Sequence, residues 1–313
     1  MSTITLLKRW AGIATGKNRV AVKQGEGKFY SKTEIKGYYN DLTGKINDQT
    51  LLDENGIPVN IIEGGERVYF PISIFQYALG LWDLYLESKD EEKKEHFLNL
   101  CQWMIEAQRK DGSWNCFGPI GYKKLTVSSM GQGEAVSALL RAYKLTGEDR
   151  WLNASRRAIN FMLKDVNDGG TLLHEGQDVI LEEYANTYGD KKSVLNGWIF
   201  SLFGLYDYLK VVDDETAEEI YNETITSLKR NLHNYDNGYW SMYDRTGRLA
   251  SPAYHDLHIC LLNVLADITG EVEFKEQAII FARYQKNKLN EFRAITKKVM
   301  QKLGDNPEGI IVK

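Results

Sequence analysis

Apolar residues recur with a helical period through most of the chain after residue 70. Eight segments place apolar side chains at roughly every third and fourth position, the pattern of an amphipathic helix that buries one face. The five prolines all fall outside these segments, as expected for residues that break helices. The pattern therefore predicts eight helices, over Ile74–Tyr85, Phe97–Ile105, Ala135–Ala142, Trp151–Met162, Trp198–Leu209, Ala217–Leu228, His258–Ile268 and Phe274–Ala282.

The breaks between these helices alternate in character. Short charged breaks such as Thr146–Arg150 join the two helices of a pair, whereas glycine turns such as Asp168–Gly170 separate one pair from the next. The first helix of each pair holds more small residues and the second more charged residues, which suits an inner and an outer ring. We therefore predict a mainly α fold, an (α/α) barrel of about four helix pairs, followed by a last helix and a tail after Lys286.

Residues 1–70 follow a different pattern. Lys28–Asp41 and Gly56–Phe70 are rich in β-branched and aromatic residues between glycines, and Gly64–Gly65 marks a turn. These features predict short strands or a hairpin. The chain therefore divides into an N-terminal arm with short strands, residues 1–70, and a barrel domain, residues 71–313.

The composition of the chain limits the kinds of partner that it can bind. Of its 313 residues, 43% are hydrophobic and 26% are charged, and the net charge of −4 provides no basic surface for nucleic acid. No apolar run is long enough to span a membrane, and the N-terminus lacks the apolar core of a secretory signal. We expect a cytoplasmic protein, with a weak amphipathic membrane anchor at Ile4, Leu7 and Trp10 as the alternative.

The same survey gives no sign of a cofactor or a metal. Neither a Walker motif nor a dinucleotide fingerprint is present. His255 and His258 are spaced as a metal pair could be, but no third ligand has suitable spacing. We therefore expect neither a cofactor nor a metal ion.

Polar side chains concentrate where the first helix of each pair begins. If those helices ring one cavity, the residues at their N-termini surround one opening, where helix dipoles also favour an anionic ligand. The 18 tyrosines and 7 tryptophans could stack on sugar rings, although most aromatic residues of this kind pack in a core. In chain order the candidate residues are Arg67, Gln132, Glu183, Tyr184, Asn196, Tyr243, Arg245, Tyr254, His255 and His258.

Several of these residues lie in motifs that resemble one known family. In order over roughly residues 65–285, the chain resembles the C-terminal domain of D-glucuronyl C5-epimerases. The family's arginine after the Tyr–Asp step is displaced here, and either Arg245 or Arg248 could replace it. The blocks that carry the resemblance are Ser129–Ala135, Glu182–Tyr184, Val194–Gly197, Met242–Asp244 and Tyr254–Ile259.

The resemblance implies a fold, an activity and a set of roles. It implies an (α/α) barrel of four helix pairs, a homodimer, and epimerisation at C5 of a uronate within an oligo- or polysaccharide. By motif, the catalytic residues are Glu183, Tyr184, Tyr243 and Tyr254. The remaining candidates would bind the substrate, with Arg245 and His255 holding its carboxylate.

The residue types suit that chemistry. Removing the C5 proton of a uronate places negative charge on the adjacent carboxylate, which cations and hydroxyl donors stabilise. Reprotonation from the opposite face requires an acid on the other wall. We expect Tyr254 to oppose either Tyr184 or Glu183, with Tyr243 assisting.

Three other functions share parts of this site. A uronate polysaccharide lyase removes the same proton and then expels the O4 substituent. A glycoside hydrolase would need two carboxyl groups, for which Glu134 and Glu183 are available. A non-catalytic barrel would bind uronate glycans without proton exchange.

Overall fold

The computed structural model describes residues 22–185 and 192–304 and is mainly helical. All eight helices that the apolar pattern predicts are present, and a ninth follows residue 286, so the predicted fold class is confirmed. The predicted C-terminal tail, from residue 305, lies outside the described residues. The helices are α1 (Pro71–Ser88), α2 (Glu91–Ala107), α3 (Ser129–Thr146), α4 (Asp149–Met162), α5 (Leu195–Leu209), α6 (Glu215–Asn231), α7 (Pro252–Thr269), α8 (Val272–Lys286) and α9 (Lys288–Gly304).

The helix ends follow from local sequence. Ser128 caps α3 by accepting a hydrogen bond from the backbone of Gly131, and Asp214 caps α6 in the same way. Proline occupies the first turn of α7, where its missing N–H costs nothing. Gly147 ends α3 with a φ of 72°, which glycine adopts without strain.

The first helix of each pair forms the inner ring. Every residue of α3 from Ser129 to Ala142 is buried, whereas α4 and α6 bury one stripe and expose the rest. Gly133 and Gly204 allow α3 and α5 to approach closely, because a Cβ on Gly204 would lie 2.2 Å from the Gly133 Cα. The small residues noted in the sequence therefore reflect this crowding.

Residues 22–46 pack against both α1 and α7 and help to close the ring. Two short strands, β1 (Gly25–Glu26) and β2 (Asn40–Asp41), pair within this segment. Tyr39 is buried and donates a hydrogen bond of 2.5 Å from its hydroxyl to Asp207. Arg141 on α3 pairs with the same Asp207 at 2.6 Å and donates to the carbonyl of Gly37 at 2.7 Å. A fully buried ion pair thus ties the N-terminal segment to the inner ring.

Two hairpins complete the described part of the chain. The first pairs β3 (Asn60–Ile61) with β4 (Arg67–Val68) around Gly64–Gly65, which confirms the predicted N-terminal hairpin. The second pairs β5 (Leu172–Glu175) with β6 (Asp178–Leu181) between α4 and α5, and the sequence analysis did not predict it. None of the described helices has the length and apolar character needed to cross a membrane.

Candidate active site

A cavity of about 1120 Å³ opens at the end of the barrel where the inner helices begin. Its walls come from the first turns of α1, α3, α5 and α7 and from the N-terminal segment. The volume slightly exceeds the roughly 300–1,000 Å³ of ordinary small-molecule sites. Side chains that line it include Gln76, Glu183, Tyr184, Asn196, Phe200 and Tyr254.

Glu183 reaches the cavity because β6 and its neighbouring loop fix the backbone beside it. The backbone N–H of Ser193 donates to the carboxylate of the preceding residue, Glu182, at 3.1 Å. The backbone carbonyl of Glu182 accepts from Ser129 at the start of α3, also at 3.1 Å. Gly197 on α5 leaves room for the Glu183 side chain, since a Cβ there would lie 2.2 Å from Glu183 Oε2.

The Glu183 carboxyl group is buried, and its environment favours the protonated form. Desolvation raises its pKa to about 8, against the opposing effect of a hydrogen bond from Tyr184. Its Oε2 atom has no hydrogen-bond partner in the described structure. Glu183 can therefore gain or lose a proton near neutral pH, and one of its oxygens is free to do so.

Three tyrosines adjoin this carboxyl group. Tyr184 stacks on Phe117 with ring centroids 4.8 Å apart, and Tyr243 meets Tyr254 edge to face at 5.0 Å. Side-chain hydrogen bonds link Tyr243 both to Tyr184 and to Tyr254. Glu183, Tyr184, Tyr243 and Tyr254 thus form one connected set, the Glu–Tyr cluster.

All three phenols of the Glu–Tyr cluster are held in the protonated form. Burial raises the pKa of Tyr254 to about 12, and it raises the pKa values of Tyr184 and Tyr243 well above 10. Nearby negative charge on Glu183 adds to each shift. The cluster therefore combines three proton donors with one carboxyl group that ionises near neutrality.

Tyr243 lies behind the cavity wall and is anchored by its backbone. Its carbonyl accepts from Leu195 N at the start of α5 at 3.2 Å, and its N–H donates to the carbonyl of Arg248 at 2.6 Å. The Arg248 guanidinium lies 5.5 Å from the Tyr243 ring centroid and pairs with Asp244 at 2.5 Å. This loop fixes the tyrosine that joins Tyr184 to Tyr254.

The structure brings only one of the predicted substrate-binding residues to the cavity wall. Asn196 lines the cavity, and its Oδ1 has no partner in the described structure. Gln132 is fully buried, and its amide donates at 3.0 Å to the carbonyls of Gly112 and Ala158. Arg67 is exposed on β4, outside the cavity lining.

His255 and His258 are buried behind the cavity and share one hydroxyl. Ser241 Oγ lies 2.7 Å from His255 Nδ1 and 2.9 Å from His258 Nδ1. Burial lowers the pKa of His255 to about 4 and that of His258 to about 3, so both imidazoles are neutral at pH 7. His255 also stacks on Trp240 at 3.8 Å. These contacts make the two histidines part of the scaffold that holds α7 against its neighbours.

Arg245 is likewise engaged away from the cavity. Its guanidinium pairs with Glu175 on β5 at 2.6 Å, and its backbone N–H donates to the carbonyl of Lys192 at 2.9 Å. It does not belong to the cavity lining. Within the described ranges 22–185 and 192–304, no three His, Cys, Asp or Glu side chains are placed to hold a metal ion.

Gln76 and Lys45 are among the polar residues of the cavity lining that sequence reasoning missed. Gln76 lies on α1 outside the positions of its predicted apolar stripe, and it donates at 2.8 Å to Glu134, whose pKa burial raises to about 8. It is buried although it lies outside that stripe, so the amphipathic pattern does not indicate it. Lys45 lies in the 3₁₀ turn Thr43–Lys45, within the segment predicted to be an N-terminal arm. No local sequence pattern indicates that its side chain lines the cavity.

Comparison with known structures identifies the class of fold. The structure of a sugar epimerase from a ruminal bacterium aligns with a TM-score of 0.54 at 13% identity, over 92% of this chain and 87% of that one. At that identity the likeness concerns the fold alone. Together with the ring of helix pairs described above, it places the protein among the (α/α) barrels.

The sequence comparison identifies the family. Residues 101–283 match the family model described as D-glucuronyl C5-epimerase C-terminus, and the chain belongs to this family. It is 30% identical over 209 residues to the D-glucuronyl C5-epimerase of Caenorhabditis elegans, which covers 58% of this chain and 34% of the worm protein. It is 31% identical over 144 residues to an uncharacterized protein of Methanocaldococcus jannaschii, covering 45% and 46% of the two chains. The chain thus spans less than half the length of either relative.

Proposed function

We propose that the protein is a uronate C5-epimerase that acts on a glucuronate-containing glycan or glycan intermediate. The observation that carries the proposal is the Glu–Tyr cluster, which presents Glu183 and Tyr254 to one cavity. Membership of the D-glucuronyl C5-epimerase family supports the same reaction. The aromatic side chains of Phe117 and Tyr122 on the cavity wall suit the apolar faces of sugar rings.

Glu183 is the proposed base. Burial raises the pKa values of all three tyrosines, that of Tyr254 to about 12, so they are poor bases near neutrality, whereas the pKa of Glu183 is about 8. The ionised carboxylate removes the C5 proton, and the electron pair of the C–H bond moves onto the uronate carboxyl group. The unpartnered Oε2 of Glu183 is the atom available for this step.

Tyr254 is the proposed acid. It lines the same cavity, and its raised pKa keeps its proton in place until negative charge develops on the substrate. Tyr254 donates that proton to C5 from the opposite face, which inverts the configuration and leaves a phenolate. The carboxyl group of Glu183 then holds the proton that Tyr254 needs.

Tyr184 and Tyr243 could restore the starting state. Tyr184 hydrogen-bonds to Glu183, and Tyr243 hydrogen-bonds to both Tyr184 and Tyr254. One proton passed along this chain from Glu183 to Tyr254 regenerates the carboxylate and the neutral phenol. The relay balances protons without an external acid or base.

The test is proton NMR in heavy water with a panel of uronate-containing oligosaccharides. The wild-type protein should remove the H5 signal of a glucuronate residue and produce signals of the C5 epimer. Tyr254→Phe should abolish this exchange with the fold intact, because it removes the proposed acid. Tyr143→Phe is the matched control, since Tyr143 lies near the other end of α3 and outside the cavity lining.

The same experiment separates the alternatives. Full activity of Tyr254→Phe would remove that residue from the mechanism. Exchange accompanied by an unsaturated sugar, seen as new ultraviolet absorbance, would identify a lyase. Binding without any exchange would identify a glycan-binding protein.

A further inference from the structure

Lys45 is a cation of the cavity wall that comes from the N-terminal segment rather than from the barrel helices. It ends the 3₁₀ turn Thr43–Lys45, which packs on α1, and it lines the cavity together with Gln76 and Asn196. Its side chain is partly buried, and desolvation lowers the pKa of its ammonium group. A lysine in such a position requires an explanation, because burying an ammonium group without a partner is unfavourable.

Neither a salt bridge nor a side-chain hydrogen bond joins Lys45 to any residue within 22–185 or 192–304. The charge that acts on it most strongly is that of Glu134, which favours the ammonium form without forming an ion pair. One oxygen of Glu134 accepts a hydrogen bond from Gln76 and the other has no partner, and burial raises the pKa of this carboxyl group to about 8. Within the described ranges, no ion pair therefore compensates the charge of Lys45.

The other cations near the site are exposed, paired or outside the cavity lining, as is Lys192, which lies 5.1 Å from the Tyr184 ring centroid but does not line the cavity. Lys23 also lines the cavity but is exposed at its edge. Arg67 is exposed on β4, and Arg245 and Arg248 pair with acidic residues outside the cavity lining. Among the described residues that line the cavity, Lys45 is thus the partly buried cation that can meet an anionic group.

We propose that Lys45 binds the carboxylate of the uronate substrate, with the amide of Asn196 as a second contact. The proposal rests on the proposed function, since the uronate carboxylate is attached to C5. A carboxylate placed there would supply the missing counterion. Asn196 lies next to Gly197, which contacts Glu183, so the carboxylate and the proposed base would share one part of the cavity.

This placement also serves the reaction. Removal of the C5 proton adds negative charge to the carboxylate, and a desolvated ammonium group stabilises that charge more strongly than water does. Lys45 would thus contribute to binding and, more strongly, to the proton-transfer step. The N-terminal segment would then supply specificity for a uronate over the corresponding neutral sugar.

The test compares two ligands that differ only in charge. The first is a tetrasaccharide of alternating glucuronate and N-acetylglucosamine, and the second is the same tetrasaccharide with its carboxyl groups reduced to alcohols. Affinities are measured by calorimetry for the wild type, Lys45→Met and Lys23→Met. Methionine keeps most of the apolar length of the lysine side chain, and Lys23 provides a matched lysine at the exposed edge.

We expect Lys45→Met to weaken binding of the uronate ligand about tenfold to a hundredfold and to leave the reduced ligand unaffected. Lys23→Met should change neither affinity by more than about twofold, since an exposed charge interacts weakly. The melting temperature of Lys45→Met should stay the same or rise, because the variant removes a partly buried charge that no ion pair among the described residues stabilises. Lys45→Arg should restore part of the preference for the uronate ligand.

Three results would overturn the assignment. They are equal binding of both ligands by the wild type, equal weakening of both by Lys45→Met, and no weakening of either by Lys45→Met. The affinities do not depend on turnover, so the outcome is separate from that of the epimerase proposal. If H5 exchange is never observed while Lys45→Met still removes the preference for the uronate ligand, the carboxylate site stands and the proposed reaction does not.

Discussion

Replacing Glu183 with glutamine should stabilise the protein at alkaline pH. Burial raises the pKa of this carboxyl group from its ordinary value of 4.5 to about 8. Between these two values the native state keeps a proton that the unfolded state releases, so the free energy of unfolding falls as the pH rises through this range. Glutamine cannot ionise, and the Glu183→Gln variant should therefore escape this loss.

The size of the effect follows from the shift in pKa. Each pKa unit corresponds to about 1.4 kcal/mol, so a rise from 4.5 to about 8 sets an upper limit of about 5 kcal/mol above pH 8. The measured gain should be smaller, roughly 2–4 kcal/mol, because Glu134 is buried nearby and the two carboxyl groups titrate together. The charge of Glu183 is one cause of the raised pKa of Glu134, so removing the Glu183 charge makes it easier for Glu134 to ionise.

The assay is urea denaturation of the wild type and the variant at pH 5, 7 and 9. The advantage of Glu183→Gln should be near zero at pH 5 and should grow with pH. A gain that is absent, or equal at all three pH values, would refute the buried ionisation. The wild-type rate of H5 exchange should rise with pH towards about 8, where the proposed base becomes ionised.

Glu134→Gln provides the matched control for this prediction. Glu134 is buried and has the same raised pKa of about 8, but it lies outside the cavity lining. The control should show a similar pH-dependent gain in stability while retaining H5 exchange, whereas Glu183→Gln should lose the exchange. If both variants lose it equally, Glu183 has no special role as the base.

Two further substitutions test the framework around the site. Gly197→Ala places a Cβ 2.2 Å from Glu183 Oε2 and should therefore displace the carboxyl group. We expect the rate of H5 exchange to fall at least tenfold and the free energy of unfolding, measured by urea denaturation, to fall by about 1–3 kcal/mol. An unchanged rate would mean that the position of Glu183 does not matter. Asp207→Ala leaves the fully buried Arg141 without its ion pair and should lower the free energy of unfolding by about 3–5 kcal/mol in the same assay. A decrease below about 1 kcal/mol would show that the ion pair does not hold the N-terminal segment to the barrel.

The helical part of this fold could be predicted from sequence because its signal is local and repeated. Each helix carries several apolar positions at the same period, so one irregular residue does not hide it. The hairpin of β5 and β6 has strands of four residues each, too short for a clear alternation, and it lies where only a glycine turn was expected. The closure of the ring by the N-terminal segment depends on contacts such as Arg141 with Gly37, which no local pattern encodes.

The candidate site was predictable in part, for a related reason. The motif resemblance pointed to Glu183 and its three tyrosines, and the structure brings these four side chains together. By motif the catalytic glutamate falls on Glu183 and not on the adjacent Glu182. The structure distinguishes them, since Glu182 is held by Ser193 whereas Glu183 keeps an unpartnered oxygen beside the cavity.

The charges of the site show why sequence alone misjudges electrostatic roles. A sequence reveals where a cation stands but not whether the folded protein has already paired or neutralised it. His255 and His258 are neutral and bound to Ser241, and Arg245 is paired with Glu175, so the charge expected of them is used within the scaffold. A group that binds an anionic ligand must instead remain charged, unpaired and accessible from the cavity. Among the described residues lining it, the partly buried Lys45 meets these conditions, which places the proposed carboxylate site on the N-terminal segment and away from the motif.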